Sequence, residues 1–331
     1  MILTFEQIRS VTSGAVSLEQ AEDGIHFYKC TKRQIEAWYK RGHSLGVRAE
    51  TTTGVCLDFH TDATELCFSV AGGDGFEVMV NGLLRTRLKA GGPASFRVSL
   101  EDVIERGEHG AREEGTPGAD RRVTVCFPCH SKGILVSAEL VGATFVRPHE
   151  YDRSILMIGD SITQGWASQY DCLSYAARVR KFFNASCTVQ GVGGGTFAPD
   201  TFDRIPTEPD IVTVAYGTND FDLVPDMDTH RENVRTYLGL VKEAYGDRPV
   251  FVITPLWRGQ LEGRKMGSFG DCCEVIRREA EALSLIVVDG FSLVPPIEAF
   301  YTDGWLHPND DGFSVYAENL IMEMERVLRR A

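Results

Sequence analysis

The chain has 331 residues, 43% of them hydrophobic, and 47 acidic against 34 basic side chains give a formal net charge of -13 at pH 7. This length can hold two domains that each bury a core of their own. The acidic balance disfavours nucleic acid or an anionic membrane surface as a main partner, and no apolar run approaches the ~20 residues of a membrane span.

The amino-terminal segment MILTFEQIRS has no basic region ahead of an apolar one and reaches Glu6 at once. We therefore expect no secretion signal and a cytoplasmic location. The nine cysteines are irregularly spaced, which fits reduced thiols better than a disulfide framework.

The first half of the chain predicts one helix and then many short strands. Thr31 and Gln34 can form a capping box for a short helix that ends at Gly42. From about 54 to 146, strand-like runs alternate with turn residues, which predicts an antiparallel sandwich or jelly roll. These runs are GVCLDFHT, ATELCFSV, GFEVMVNG, ASFRVSL, RRVTVCF and GILVSAELVG. The polar, glycine-rich stretch 105–120 is predicted to be a long exposed loop.

One segment in this half, CFPCH at 126–130, matches the C-x-x-C-H pattern of covalent haem attachment and could also form half of a zinc site. It continues a strand-like run, however, and the chain has no second C-x-x-C, since Cys272 and Cys273 are adjacent. We therefore expect no metal and no cofactor, and the role of this adjacent pair stays open.

After about Tyr151 the pattern changes to strands alternating with amphipathic helices. The strand-like runs are ILMI, CTVQ, IVTVAY, VFVIT and LIVVD. The helix around Val234 and Leu238 could be capped by Thr229 and Glu232. Such alternation predicts a parallel sheet covered by helices, and hence two domains, 1–150 and 151–331.

Four polar stretches follow strands of this predicted sheet: GDSITQG at 159–165, GVGGGTF at 191–197, GTND at 217–220 and TDGWLHPND at 302–310. The carboxyl ends of parallel strands meet at one edge, where open α/β sheets bind their ligands. Together these stretches supply a hydroxyl, an amide-rich loop, a carboxamide, and an acid with a histidine. These are the groups required for acyl transfer through a serine ester.

In this order, the four stretches resemble those of the GDSL-type esterases known as SGNH hydrolases, over about the last 180 residues. The resemblance implies a flavodoxin-like α/β/α sandwich with Ser161 as nucleophile, His307 as general base and Asp303 as the residue that orients it. It also implies an oxyanion hole made of the amides of Ser161 and Gly194 and the side chain of Asn219. Asp160 is expected to be structural, bonding backbone amides of its loop.

Two features depart from the family pattern. The family usually spaces its acid and base as D-x-x-H, whereas DGWLH puts Asp303 four positions before His307. Some relatives orient the histidine through a backbone carbonyl instead, so both arrangements stay open. The asparagine that is frequent in the second stretch is also absent near Val189.

A β-sandwich ahead of such a domain resembles the arrangement of family-two carbohydrate esterases and of a related polyketide acyltransferase. Four aromatic residues in or near the crevice loops are candidates for binding a sugar ring or, alternatively, for packing the domain junction: Trp166, Phe197, Trp257 and Trp305.

These observations favour a serine esterase that removes a short acyl group, such as acetyl, from a carbohydrate or a similar polar alcohol. Its partner is a small acylated substrate, and a homo-oligomer is compatible with the sequence. Two alternatives remain: an acyltransferase with the same residues, and a non-catalytic carbohydrate-binding protein. The natural substrate and its acyl chain length stay open.

Overall fold

The computed structural model describes residues 1–101, 103–104, 113–114, 120–262 and 264–329. Most of the stretch 105–120, predicted to be an exposed loop, lies outside the described residues. In the N-terminal part the described strands are β1 Thr12–Ser13, β2 Ser17–Ala21, β3 Gly24–Tyr28, β4 Cys56–Thr61, β5 Glu65–Gly72, β6 Gly75–Val80, β7 Leu83–Lys89, β8 Ala94–Ser99, β9 Val103–Ile104, β10 Glu113–Glu114, β11 Arg121–Cys126, β12 Ile134–Val141 and β13 Val146–Pro148.

These strands form an antiparallel sandwich, as the sequence predicts. One sheet has the order β1-β4-β11-β6-β7 with β13 beside β4, and the other has the order β2-β3-β12-β5-β8. Alternate residues of both sheets point into one core, where Phe59 of the first sheet and Phe68 of the second are buried in the same hydrophobic cluster. Among the described residues, strands β9 and β10 pair with each other and with no further strand.

The C-terminal part contains one parallel sheet. Its strands are β14 Arg153–Gly159, β15 Ala185–Gly191, β16 Ile211–Ala215, β17 Val250–Ile253 and β18 Ile286–Val288. Their order, β15-β14-β16-β17-β18, is the flavodoxin-like order 2-1-3-4-5, and every neighbouring pair is parallel.

The helices are α1 Phe5–Val11, α2 Lys32–Arg41, α3 His43–Ala49, α4 Ser161–Gln164, α5 Tyr175–Phe182, α6 Thr218–Leu223, α7 Met227–Tyr245, α8 Phe269–Ala282 and α9 Asp310–Leu328. Helices α5 and α9 share one core with the parallel sheet, and α7 and α8 share another. The sheet is therefore covered on both faces, which confirms the predicted α/β/α sandwich. Among the described residues, no helix combines the length and apolarity needed to cross a membrane.

The helix caps were predicted with mixed success. The capping box of Thr31 and Gln34 is present at the start of α2. The predicted cap of α7 is wrong, because the Asp226 carboxylate accepts the Thr229 N–H and the helix begins at Met227. Asp226 lies just before the helix and accepts the Thr229 N–H, which has no acceptor within the helix. Thr229 therefore lies within the first turn and is not the cap.

The N-terminal sandwich and the C-terminal parallel sheet are joined by polar and apolar contacts around α2 and α3. Trp38 packs in one buried cluster with Val192 of the loop after β15. Close to it, the buried Lys29 ammonium donates to the backbone oxygens of Gly191 at 2.8 Å and Arg48 at 2.9 Å. Burial lowers the pKa of Lys29 to about 8. Residues of the N-terminal part thus hold the loop that follows β15.

Replacing Lys29 with methionine is expected to lower the free energy of unfolding by about 3 kcal/mol, because buried carbonyl oxygens would lose their donor. Urea unfolding followed by circular dichroism measures this loss. The exposed Lys40 on α2 is the matched control, and Lys40→Met should change stability by less than ~0.5 kcal/mol. Equal stability of the two variants would contradict the role given to Lys29.

Candidate functional site

The strand-end polar residues meet at the carboxyl edge of the parallel sheet. Ser161 is the first residue of α4, separated from the end of β14 by Asp160 alone, and is 7% exposed. Its Oγ lies 3.0 Å from Nε2 of His307. Nδ1 of His307 lies 2.7 Å from Oδ2 of Asp303. The structure therefore brings the three residues into one hydrogen-bonded chain.

The four-residue spacing between Asp303 and His307 is accommodated by a turn that the Asp303 carboxylate closes with hydrogen bonds to its backbone. Oδ1 of Asp303 accepts the backbone N–H groups of Trp305, Leu306 and His307 at 2.8–3.1 Å. Gly304 has a φ of +78°, which glycine adopts without strain. The extra residue is thus absorbed in the turn, and the second carboxylate oxygen remains free to face the imidazole.

The charge of Asp303 is stabilised by the same contacts. Burial raises the pKa of this carboxyl, but hydrogen bonds from the Leu306 amide and from the His307 ring and amide outweigh it, so the pKa is lowered. An ionised carboxylate accepts a hydrogen bond from the Nδ1–H of the imidazole. Nε2 is then the unprotonated nitrogen, able to accept the Ser161 hydroxyl proton.

Asp160 bonds the backbone of the turn that carries Ser161, as the sequence predicts. Its carboxylate accepts the Ile162 N–H at 2.9 Å and caps α4. Burial raises the pKa of this carboxyl to about 7. Being 3% exposed, Asp160 serves the backbone of the turn.

Three polar hydrogens at the site are available to an oxyanion. Ser161 lies in the first turn of α4, where an N–H has no acceptor within its helix. Gly194 has a φ of +82°, so glycine is favoured there, and its N–H has no acceptor among the described residues. Asn219, in the first turn of α6, uses one Nδ2 hydrogen to donate to the Gly195 oxygen at 3.0 Å, which leaves the other free.

Asn219→Ala is expected to lower kcat for p-nitrophenyl acetate by ~10²-fold or more with a smaller change in KM, as for a donor used mainly in the transition state. Steady-state kinetics measure both constants. Asn319 on helix α9, whose Nδ2 donates to the Leu293 oxygen, is the matched control. A change in KM alone would instead identify Asn219 as a substrate-binding residue.

The four candidate aromatic residues have different environments. Trp166 is 40% exposed, and its ring lies 6.5 Å from that of His307 and 4.9 Å from that of His130. Trp257 and Trp305 are half-buried, the first against Tyr301 and the second beneath the Arg258 guanidinium. Trp166 is therefore the exposed aromatic surface beside the candidate base.

The prediction that Phe197 binds substrate is contradicted by its burial. Its side chain is 0% exposed and packs against Tyr216 and Tyr237 in the core under the sheet. Its amide donates to the Asp220 carboxylate at 3.1 Å, which ties the second polar stretch to the third. The ring therefore fills the hydrophobic core that the parallel sheet shares with α7 and α8.

Two further side chains at the site were missed by the sequence analysis. The Gln164 side chain, which is 1% exposed, accepts the Gly193 N–H at 2.7 Å and donates to the Cys129 oxygen at 2.8 Å. Arg48 donates to the Gly193 oxygen at 2.8 Å. Gln164 stands within a recognised motif, but Arg48 lies 145 residues from its partner, and no local signal connects the two.

The segment CFPCH contributes to a group of three potential metal ligands. Atoms of Cys129, His130 and Asp171 lie within 4.8 Å of one another. The Asp171 carboxylate already accepts the Cys129 N–H, and burial raises the pKa of the Cys129 thiol and raises that of Asp171 to about 7. These contacts favour a role for the three side chains in packing the junction between the N-terminal and C-terminal parts of the chain. All nine cysteines are free thiols in the structure.

Comparisons with known proteins bear on the family and the fold of the chain. Residues 157–315 match the model of the GDSL-like lipase/acylhydrolase family. No curated protein sequence matches the chain. The fold is similar to that of the salicylyl-acyltransferase SsfX3 from a tetracycline biosynthetic pathway, with a TM-score of 0.80 and 18% identity over 96% of this chain and 94% of that chain.

Two esterase structures are also similar in fold. A family two carbohydrate esterase from Clostridium thermocellum, in complex with cellohexaose, has a TM-score of 0.65 and 17% identity over 84% of this chain and 94% of its own. An acetyl xylan esterase from the rumen bacterium Butyrivibrio proteoclasticus has a TM-score of 0.61 and 14% identity over 84% of this chain and 91% of its own. The chain therefore carries a GDSL-like lipase/acylhydrolase domain, preceded by an N-terminal β-rich region like that of the family two carbohydrate esterases.

Proposed function

We propose that this protein is a serine esterase that removes a short acyl group, such as acetyl, from a carbohydrate or a similar polar alcohol. The observation that carries the proposal is the chain of hydrogen bonds from Ser161 through His307 to Asp303, beside three unused hydrogen-bond donors. This arrangement matches the requirements of acyl transfer through a covalent serine ester.

The reaction has two matched halves. Ser161 Oγ attacks the ester carbonyl carbon while its proton passes to Nε2 of His307, and the carbonyl π electrons move onto oxygen. Collapse of this tetrahedral oxyanion expels the alcohol, which takes the proton from His307 and leaves an acyl-Ser161 ester. Water then attacks in the same way, and its proton returns through His307 to Ser161 as the carboxylic acid departs.

The donors and the acid have separate roles in this scheme. The N–H groups of Ser161 and Gly194 and the free Nδ2 hydrogen of Asn219 stabilise the oxyanion, which is fully charged only along the reaction path. Asp303 holds the imidazole in the tautomer that accepts from Ser161 and stabilises the imidazolium that forms. No step of this scheme uses a metal ion or another cofactor.

The choice of a carbohydrate ester is supported by two observations. The exposed ring of Trp166 lies beside His307, and a flat aromatic face suits the apolar face of a sugar ring. The fold, including the N-terminal sandwich, is similar to that of a carbohydrate esterase bound to cellohexaose and of an acetyl xylan esterase. A hydrolysis screen across p-nitrophenyl esters of increasing chain length and acetylated sugars tests the preference for the acyl group and for the alcohol. Preference for long acyl chains would contradict the short-acyl proposal.

A second candidate function is acyl transfer to an alcohol other than water. It is favoured by the similarity to the salicylyl-acyltransferase SsfX3, which extends over 96% of this chain. The acyl-enzyme is common to both reactions, so product analysis with and without an acceptor alcohol separates them. A transferred ester as the main product in water would favour the transferase.

The third alternative, a non-catalytic carbohydrate-binding protein, is disfavoured by the intact hydrogen-bonded chain at Ser161. Labelling with a fluorophosphonate probe tests this directly, because the probe reacts covalently only with an activated serine. We expect labelling of the wild-type protein and none of Ser161→Ala. Binding of sugars without any labelling would favour the non-catalytic alternative.

A further inference from the structure

We propose that Arg48, which lies in the N-terminal part of the chain, is a positioning residue of the oxyanion hole. Its guanidinium fixes the peptide between Gly193 and Gly194 so that the Gly194 N–H is directed at the developing oxyanion. The inference rests on the proposed esterase function and extends it, because it makes the N-terminal β-rich region part of the catalytic apparatus.

The contact between Arg48 and the loop is direct. Nη1 of Arg48 donates to the Gly193 oxygen at 2.8 Å. A Cβ atom built on Gly193 would lie 3.3 Å from Cδ of Arg48 and 3.5 Å from Cβ of Ser161. The stem of Arg48 and the nucleophile therefore flank the same glycine.

Peptide geometry converts this contact into an orientation of the neighbouring amide. The described chain has no cis peptide bond, and in a trans peptide the C=O and N–H groups point in opposite directions. An arginine that holds the Gly193 oxygen therefore turns the Gly194 N–H away from itself. Within the described part of the chain this N–H meets no acceptor, so it is available to a ligand.

The loop needs such an anchor because of its composition. Residues 193–195 are three consecutive glycines, and a peptide between two glycines can rotate at little steric cost. Gln164 holds the Gly193 N–H and Lys29 holds the Gly191 oxygen. Neither contact involves the peptide that carries the Gly194 N–H, whereas the Arg48 contact does.

The positive charge of Arg48 favours the oxyanion, as does the orientation that Arg48 gives to the Gly194 N–H. A Cβ atom built on Gly194 would lie 3.1 Å from Nη1 of Arg48, so the guanidinium lies against the glycine whose amide is the proposed donor. A fixed positive charge polarises the peptide and favours negative charge nearby, and such preorganised groups contribute mainly in the transition state. Loss of Arg48 should therefore affect kcat more than KM.

The experiment compares Arg48→Met, which keeps an unbranched stem, with Arg48→Lys, which keeps a charged donor. Steady-state kinetics with uncharged p-nitrophenyl acetate should show a ~10- to 100-fold lower kcat for Arg48→Met with KM within ~2-fold of the wild type. Arg48→Lys should recover part of this loss, because its ammonium can still donate to the Gly193 oxygen.

The matched control is Arg41→Ala on α2. Arg41 also bridges to the C-terminal part of the chain, through the Asp200 carboxylate, but it does not contact the glycine loop. This variant should retain wild-type kcat and KM, since an exposed ion pair contributes little to stability. Circular dichroism establishes that all three variants are folded.

Several results would overturn the inference. A raised KM with unchanged kcat in Arg48→Met would mean that Arg48 binds substrate. Wild-type kinetics in this variant would mean that the glycine loop keeps its conformation without Arg48. An equal loss of kcat in Arg41→Ala would reduce the effect to a general weakening of the junction. Failure of the esterase proposal is distinguishable, because the wild-type protein would then neither hydrolyse the ester nor react with a fluorophosphonate.

Discussion

Replacing Ser161 with alanine is expected to reduce the turnover of p-nitrophenyl acetate by ~10⁴-fold or more, to near the background rate. The hydroxyl that lies 3.0 Å from Nε2 of His307 is the atom that forms the acyl bond in the proposed mechanism. Without it, the oxyanion donors and the imidazole could assist only a direct attack by water.

The control for this variant is Ser186→Ala. Ser186 lies in β15, where its hydroxyl contacts that of Ser13 in the N-terminal sheet, outside the chain of groups at Ser161. It should retain nearly full activity. Substantial activity in Ser161→Ala, measured with protein purified away from host esterases, would exclude Ser161 as the nucleophile.

The second large effect is expected for Asp303→Asn, with a fall in kcat/KM of ~10³–10⁴-fold. Oδ1 of Asp303 accepts three backbone N–H groups, and the oxygen of an asparagine amide would keep that position. The asparagine NH₂ would then face Nδ1 of His307, which would have to become the acceptor. The proton would move to Nε2, and the imidazole could no longer accept from Ser161.

Asp289→Asn is the matched control for this change, because Asp289 also caps a turn, by accepting the Phe291 N–H at 3.2 Å. It should leave kcat/KM unchanged. His307→Ala serves as the reference for complete loss of the base. Near wild-type activity in Asp303→Asn beside near-total loss in His307→Ala would remove Asp303 from the mechanism and favour orientation of the imidazole by a backbone carbonyl.

The parallel sheet was predictable because its strands are continuous apolar runs. Residues 155–158 are buried on both faces in β14, and the polar residues that follow such strands must meet at one edge. The strand pattern therefore predicted that the stretches carrying Ser161 and His307 meet at this edge. Hydrogen-bond distances and the closed turn at Asp303 required the structure.

Other elements were missed because their local signal is weak. Strand β7, with the sequence LLRTRLK, exposes Leu83 and Leu84 and lies at a sheet edge, so it shows no clean alternation of apolar and polar residues. Helix α1 was also missed, because it spans only seven residues and so shows little periodicity. The one local signal for it is the capping box of Thr4 and Gln7 at its start.

The contacts between the two parts of the chain were beyond prediction for a different reason. Arg48 contacts the loop after β15 and Lys29 contacts the last residue of β15, each more than 140 residues away, and neither stands in a motif. Phe197 shows the converse, because its position beside the glycine loop suggested exposure while the direction of the chain places it in the core. Sequence periodicity reports the face of an element, not the tertiary partner of a single side chain.

The most direct test of the proposed mechanism is to trap and locate the acyl-enzyme. Wild-type protein mixed with p-nitrophenyl acetate, quenched in acid and digested, should yield a peptide acetylated on Ser161 when analysed by mass spectrometry. The good leaving group makes acylation fast relative to deacylation, so the intermediate accumulates. Ongoing hydrolysis with Ser161 unmodified, or with the acetyl group on another residue that turns over, would contradict the account.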